Sequence, residues 1–265
     1  MDYLDRVQKG EVKLNAGTLM PYDIIAPIIG WNYFDQPWNK INVDPDLRKS
    51  MNVSWNALED FTDNRNAIAV IDGSGSMYGY GTPIPEAIAI SLGIYFAERN
   101  KGAFKNHFIT FSESPQLVEI KGRDIVDKTL YCESYNEIAN TDLQKVFELL
   151  LKTACRNRLP QEDLPETIYV ITDMEFDYCA QGADISNFEY AKKLFEKKGY
   201  RLPQVVFWNV QSRNTQVPVK MNEQGVVLVS GFTPRLFSMI TAGNYDPYEL
   251  MMEVIGTERY AAIAA

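Results

Sequence analysis

From residue 67 onward, short apolar runs alternate with longer amphipathic segments, and this alternation limits the chain to few folds. Strands that alternate with helices form a parallel sheet that is covered by helices on both faces. Only four residues separate the second run from the third, so these two strands are predicted to form a hairpin. We expect an α/β fold with a doubly wound, mostly parallel sheet of six strands. The predicted strands are 67–71, 107–111, 116–120, 167–172, 203–210 and 226–230.

Amphipathic helices are predicted around these strands. The predicted helices are 83 or 85 to 99, 124–130, 141–157, 187–198, 234–241 and 246–256. In the helix 141–157, apolar residues recur at three- and four-residue spacing, which is typical of one buried face. They are Leu143, Val146, Phe147, Leu150 and Leu151. In the last helix, Met251, Met252 and Val254 are predicted to join the core.

The first 66 residues have a different pattern. Short helical patterns at 3–7 and 22–29 alternate with turn-rich connections. An amphipathic helix is predicted within 46–61. Its apolar residues are Leu47, Met51, Trp55 and Leu58. We therefore expect a helical and irregular N-terminal extension at 1–66, packed against an α/β domain at 67–265.

The composition narrows the classes of function. The chain has 265 residues and a net charge of −9, which disfavours general binding to nucleic acid or to an anionic membrane. The N-terminus has no apolar signal region, and no continuous apolar run reaches the ~18 residues that span a bilayer. We expect a soluble, cytoplasmic protein. Cys132, Cys155 and Cys179 are odd in number and far apart, which favours buried reduced thiols over disulfides or a zinc site.

The first predicted strand ends in the run Asp72-Gly73-Ser74-Gly75-Ser76. Asp72, Ser74 and Ser76 place a carboxylate and two hydroxyls at every second position of a loop at the carboxyl end of the strand. In open α/β sheets, ligands bind at this edge. Oxygen ligands without imidazole or thiolate suit a hard cation such as Mg²⁺.

Two further residues are candidates for the same site. Asp173 follows the fourth predicted strand, and it shares an edge with Asp72 if the first and fourth strands are neighbours at the switch point of the sheet. Thr141 opens a predicted helix, and its hydroxyl is expected at that edge. Each has a simpler interpretation. Asp173 is also a suitable turn residue, and Thr141 with Gln144 forms a capping-box pattern.

These pieces carry a family resemblance over roughly residues 50–240. The segments IDGSGSM, NTDL and ITDMEFD resemble the von Willebrand factor A domain with its metal-ion-dependent adhesion site, and the details resemble most the Ro/TROVE-type branch and its uncharacterised relatives. The resemblance implies that Ser74, Ser76 and Thr141 bind a cation directly or through water. It implies that Asp72 and Asp173 hold the ion largely through water, and that an acidic group of a partner takes the last coordination position.

The sequence departs from the pattern of that family in two loops. Ala139 and Asn140 replace the usual glycine pair before the loop threonine, which weakens the assignment of Thr141. The third loop adds Glu175 and Asp177. These two acids are either solvated loop charges, which we favour, or outer-shell charges that shift the preference from Mg²⁺ toward Ca²⁺ or Mn²⁺.

Several enzymatic motifs are absent from the first loop. The dinucleotide fingerprint fails because residue 78 is Tyr, and the loop contains no lysine for a P-loop. The G-x-S-x-G hydrolase elbow fails because Ser74 and Asp72 stand where glycines are needed. The sole histidine, His107, is predicted at the opposite end of a strand, where it cannot serve a Ser-His-Asp triad.

The favoured interpretation is a non-enzymatic module that binds an acidic group of a protein partner through a divalent cation. Three alternatives stay open. A Mg²⁺-dependent phosphotransfer enzyme would use Asp72 as the nucleophile, although Ser74 stands where a second acid is normally needed. An RNA-associated, Ro-like ribonucleoprotein component would use the basic residues near 192–201. A scaffold would retain the motif as a structural loop only.

Overall fold

The protein is described by a computed structural model that covers residues 3–12, 14, 19–30, 40–62, 65–79, 81–136, 141–174, 184–211 and 225–257. Its centre is one sheet of six strands in the order β3-β2-β1-β4-β5-β6. The strands are β1 (Ala67–Asp72), β2 (His107–Phe111), β3 (Leu117–Glu119), β4 (Thr167–Thr172), β5 (Gln204–Asn209) and β6 (Val226–Ser230). All neighbours run parallel except β2 and β3, which form the predicted antiparallel hairpin. The predicted fold class is confirmed.

Helices cover both faces of this sheet. Before the first strand lie α1 (Tyr3–Gln8), α2 (Pro21–Ile25) and α3 (Pro45–Asn56). Between strands or after the last lie α4 (Pro85–Arg99), α5 (Ile125–Glu133), α6 (Leu143–Asn157), α7 (Asp184–Lys197), α8 (Pro234–Thr241) and α9 (Pro247–Ile255). Proline begins several of these helices, where its missing N–H group costs no hydrogen bond.

The residues of β1 are buried without exception, because helices lie on both sides of this central strand. Side chains alternate between the two faces of a strand. Ala69 and Ile71 therefore join one apolar cluster, with α2 to α5, while Ile68 and Val70 join a second cluster, with α6 and α7. The buried stripe predicted for α6 is confirmed in full.

Residues before β1 contribute to the first cluster. Ile25 of α2 is fully buried, and Met51 and Trp55 of α3 are 3% and 4% exposed. The indole of Trp55 also donates a 2.8 Å hydrogen bond to Glu98 on α4. The first helices therefore pack directly on the helix that follows β1. The division of the chain at residue 66 stays a prediction.

Two expectations about burial are wrong. Met251 and Met252 of α9 are 47% and 42% exposed, and neither belongs to the two apolar clusters on the sheet. Cys155 is exposed, since it lies outside the buried stripe of α6, whereas Cys132 is buried as predicted. The side chain of Val254 and all of Cys179 lie outside the described residues. Among the helices described, none is long and apolar enough to cross a membrane.

Candidate metal site

Asp72 is the last residue of β1 and is 2% exposed. Its Oδ1 accepts a 3.0 Å hydrogen bond from the backbone N–H of Ser74, and its Oδ2 accepts a 2.6 Å hydrogen bond from the Thr172 hydroxyl. Burial raises the pKa of Asp72 to about 6, with the nearby Asp173 adding to the rise and these hydrogen bonds opposing it. Two carboxylates are thus held close together in a poorly solvated place.

The two serines of the loop lie side by side. The chain leaves β1 at Gly73 and enters a short 3₁₀ turn, Gly75–Tyr78, so that Ser74 and Ser76 face the same way. Their Oγ atoms are 3.0 Å apart, and both side chains are half-buried. The structure therefore brings the carboxylate and the two hydroxyls of the motif together.

Asp173 follows β4, which pairs with β1 in parallel from Ala67↔Thr167 to Ile71↔Ile171. The predicted adjacency of the first and fourth strands is therefore confirmed, and Asp72 and Asp173 lie at one edge. Asp173 is fully buried. Thr172, just before it, was missed by the sequence reasoning, although its position at a strand end before an aspartate was a signal that a polar contact would form there.

Thr141 lies at the same edge of the sheet. It precedes α6, and Lys145 in the first turn of α6 donates a 2.8 Å hydrogen bond to the carbonyl oxygen of Glu113, just beyond β2. The alternative interpretation of Thr141 and Gln144 as a capping box is wrong. Asp142 is the N-cap residue, and its Oδ1 accepts a 3.1 Å hydrogen bond from the N–H of Lys145. The carboxylate of Asp142 accepts this hydrogen bond better than a hydroxyl one residue earlier, and the Thr141 hydroxyl has no part in the cap.

A buried polar network behind the serine loop was also missed. Asn136 donates 2.7 Å hydrogen bonds from Nδ2 to Glu86 Oε1 and to the Tyr78 hydroxyl. Tyr78 in turn lies 3.4 Å from Glu133. Glu86 is fully buried and Glu133 is 7% exposed. In the sequence, Glu86 looks like an ordinary acid in the first turn of a helix, so its burial depends on tertiary packing.

Burial governs the acidity of this network. It raises the pKa of Glu86 well above the ordinary value. The hydrogen bond from Asn136 opposes this rise, and the nearby acids Glu133, Asp72 and Asp173 add to it. Burial also raises the pKa of Glu133 to about 7, against hydrogen bonds from the Gly30 N–H and from Tyr78. These groups therefore bind protons more readily than ordinary carboxyl groups do, and a cation at the nearby edge would favour their charged forms.

His107 lies at the amino end of β2, and its Nδ1 is 2.7 Å from the carbonyl oxygen of Lys105. As predicted, it is at the edge of the sheet opposite the Asp72 loop. Ala139, Asn140, Glu175 and Asp177 lie outside the described residues.

The donor set fits a hard divalent cation. It holds only oxygen atoms, from three hydroxyls and two carboxylates, and a cation would offset the burial and the repulsion from Asp173 that raise the pKa of Asp72. Within the described residues, no three His, Cys, Asp or Glu side chains are grouped as a metal site. That finding does not bear on a set that contains only two carboxylates.

Comparisons with known proteins place the chain among relatives. Over residues 66–257 it matches a family described as a domain of unknown function (DUF7788). It is 30% identical over 259 residues to the uncharacterized protein L728 of Acanthamoeba polyphaga mimivirus, an alignment that covers 96% of this chain and 42% of L728. The crystal structure of the Deinococcus radiodurans Ro (RSR) protein is similar at a TM-score of 0.58 and 17% identity, over 91% of this chain and 47% of that one.

The chain spans less than half the length of L728 and of the Ro protein. At 17% identity, the likeness to the Ro protein concerns the fold alone. It supports the predicted fold, a six-stranded, mostly parallel sheet with helices on both faces. On the match to residues 66–257, the chain belongs to the DUF7788 family of domains of unknown function.

Proposed function

We propose that this protein is a non-enzymatic module that binds an acidic group of a protein partner through a divalent cation, Mg²⁺ or alternatively Mn²⁺ or Ca²⁺. The observation that carries the proposal is the pair of Ser74 and Ser76 hydroxyls, 3.0 Å apart beside the buried Asp72. Ser74, Ser76 and Thr141 would hold the ion directly or through water. Asp72 and Asp173 would act largely through water.

The charge balance of this donor set explains the choice of partner. Hydroxyls are neutral, so an ion held mainly by them keeps most of its positive charge. The carboxylates of Asp72 and Asp173 are buried, at 2% and 0% exposure, and would lie on the protein side of the ion. An Asp or Glu side chain of a partner would then complete the coordination from the solvent side. The bound ion would attract the partner's carboxylate, and the residues of this chain would fix where the ion lies.

The test is a thermal unfolding series with EDTA, Mg²⁺, Mn²⁺ and Ca²⁺ on the wild type, Asp72→Ala and Asp44→Ala. An ion at 100 times its dissociation constant stabilises the native state by about 2.7 kcal/mol, a shift of a few degrees. We expect this shift in the wild type and its loss in Asp72→Ala.

The control variant Asp44→Ala removes the N-cap of α3, where Oδ1 of Asp44 accepts hydrogen bonds from Asp46 and Leu47. It should lower the melting temperature and keep the ion-dependent shift. Identical wild-type curves with EDTA and with every ion would favour the scaffold alternative. An acidic peptide that binds only with the ion present would support capture of a carboxylate.

An RNA-associated role is the second candidate, because the structure exposes a set of basic side chains on and after α7. They are Lys192, Lys193, Lys197, Lys198 and Arg201. Phosphate contacts of this kind weaken steeply with salt. An electrophoretic shift of RNA at two salt concentrations, with the wild type and Lys197→Glu/Lys198→Glu, tests it. A shift that neither salt nor these substitutions weaken would count against this role.

A further inference from the structure

We propose that Asn136 is a positioning residue that fixes the serine loop, residues 73–78, against α4 and the end of α5. The proposal rests on the proposed function, since its effect would be seen in cation affinity. Three observations carry it: the contact of Asn136 with Gly73, the hydrogen bonds of its amide, and its place in the chain.

The first observation is the close approach of Asn136 to Gly73. A Cβ atom built on Gly73 would lie 2.7 Å from Oδ1 and 2.9 Å from Cβ and Cγ of Asn136. These distances are too short for any side chain larger than hydrogen. A side chain at residue 73 would therefore collide with Asn136, and the start of the serine loop lies against that amide.

The second observation is that the same side chain holds the other end of the loop. Nδ2 of Asn136 donates to the hydroxyl of Tyr78 at 2.7 Å, and Tyr78 closes the 3₁₀ turn that contains Ser76. Ser74 and Ser76 lie between the two points of contact. The 2.7 Å hydrogen bond to Glu86 fixes the amide on α4, so that the loop is held against a helix rather than by its own turns alone.

The third observation is the position of Asn136 in the sequence. It follows α5, and its N–H donates a 3.1 Å hydrogen bond to the carbonyl oxygen of Glu133, the last residue of that helix. Five residues later comes Thr141. Asn136 therefore contacts the serine loop and lies, in the sequence, between α5 and the third proposed ligand segment. A side-chain amide suits this place because it donates both hydrogen bonds and carries no charge of its own into a buried site.

A double-mutant cycle tests the proposal. The dissociation constant of Mn²⁺ is measured by titration calorimetry for the wild type, Gly73→Ala, Asn136→Ala and the double variant, with the free energy of unfolding measured by urea in EDTA. Partners that orient the ligands of a metal typically change its affinity by 10–100-fold, so we expect Asn136→Ala to raise the dissociation constant about tenfold or more. Gly73→Ala should also raise the dissociation constant, because its methyl group would collide with Asn136. In the double variant Oδ1 and Cγ of residue 136 are gone and only its Cβ stays near residue 73, so the two effects should combine to less than their product.

The matched control is Asn52→Ala. Oδ1 of Asn52 accepts a 2.9 Å hydrogen bond from the N–H of Ile125, at the opposite end of α5. This variant should lose stability and keep the affinity for Mn²⁺ within about twofold, as expected for a site with no shared partners. Hydrogen exchange of the Ser74 and Ser76 amides in EDTA gives a readout without metal. Exchange should be faster in Asn136→Ala than in the wild type and unchanged in Asn52→Ala. If Asn136→Ala does not fold, Tyr78→Phe removes one of the two acceptors and should show a smaller change in the same direction.

The outcomes separate the two proposals. Mn²⁺ binding by the wild type and equally tight binding by Asn136→Ala would overturn the role of Asn136 and leave the proposed function standing. Effects that multiply in the double variant would also overturn it, because they would show that the two residues act separately. A wild type that binds none of the ions would overturn both proposals.

Discussion

The hydroxyl of Thr172 donates a 2.6 Å hydrogen bond to Oδ2 of Asp72, which joins residues 100 positions apart at the ends of β4 and β1. Because the acceptor is a buried carboxylate, we expect Thr172→Val to lower the free energy of unfolding by about 1.5–3 kcal/mol. The substitution also removes the acceptor of the Met174 N–H. Urea unfolding in EDTA measures the loss.

The control for this prediction is Thr241→Val, which removes a buried hydroxyl that donates 2.7 Å to the carbonyl oxygen of Phe237 in α8. Both variants should be less stable than the wild type. Only Thr172→Val should weaken the binding of Mn²⁺, because only Thr172 orients a proposed ligand. An equal affinity in both variants would contradict that role.

Glu133 should make the metal-free protein less stable as the pH rises. Its pKa is raised to about 7 from an ordinary value of 4.5, chiefly by burial, and it faces Tyr78, the Gly30 N–H and the carboxyl of Glu86. The folded state binds the proton more tightly than the unfolded chain does. The contribution is therefore full below pH 4.5 and is lost as the pH rises through about 7.

The shift corresponds to a loss of about 3 kcal/mol across that window. Glu133→Gln should reduce the change in the free energy of unfolding between pH 5 and pH 8. Part of the change should remain, because the pKa values of Asp72 and Glu86 are also raised. Urea unfolding in EDTA at the two pH values measures the difference. A wild type that is more stable at pH 8 than at pH 5, by the same amount as the variant, would contradict the prediction.

Arg48→Met should weaken the attachment of α3 to α5. The guanidinium donates to both carboxylate oxygens of Asp124, at 2.7 and 2.8 Å, and also to Asp127. We expect a loss of about 2 kcal/mol in the free energy of unfolding near pH 7. The control is Arg123→Met. Arg123 also contacts Asp127, but its side chain is 85% exposed, so its loss should cost less than about 1 kcal/mol.

The difference in the free energy of unfolding between the wild type and Arg48→Met should depend on pH. Burial acts to raise the pKa of Asp127, but hydrogen bonds from Arg123 and Arg48 outweigh it and hold this pKa below its ordinary value. A carboxylate of this kind stabilises the fold above its ordinary pKa, and the contribution is lost as the pH falls. The difference should therefore be smaller at pH 3 than at pH 7, and a constant difference would contradict the assignment.

Gly93→Ala should destabilise the protein although alanine favours helices. In the middle of a helix the exchange alone would stabilise by up to about 1 kcal/mol. Gly93 of α4, however, faces β1, and a Cβ there would overlap the Cδ1 methyl of Ile71, which is 2% exposed. Overpacking costs about 1–3 kcal/mol, so the net effect should be a loss. Ile71→Val removes that methyl, and the double variant should regain stability relative to Gly93→Ala.

The central part of the fold follows from the sequence because β1 and β4 are fully buried parallel strands with unbroken apolar runs. The polar residues that end them mark the same edge, which made the grouping of Asp72 with Asp173 predictable. The helix cap was not predictable in the same way. Thr141 and Asp142 both cap helices well, and the difference between them is smaller than the energy of one tertiary contact.

The burial of acidic residues could not be predicted from the sequence either. Glu86 occupies the first turn of α4, where an acid is normally solvated and favoured by the helix dipole. Its burial depends on tertiary packing, and Asn136 from outside α4 donates a hydrogen bond to its Oε1. Similarly, the stripe that includes Met251 predicts that α9 has an apolar face, and no pattern within α9 tells whether the sheet or solvent lies against that face.

The hydrogen bond between Thr172 and Asp72 has a consequence for synthesis of the chain. The two residues belong to neighbouring strands but are 100 positions apart. The proposed ion site therefore cannot form until β4 has left the ribosome and paired with β1. Contacts of such long range form late, after the cost of closing the intervening chain has been met. A nascent chain that ends before residue 167 should carry the D-x-S-x-S loop without the site.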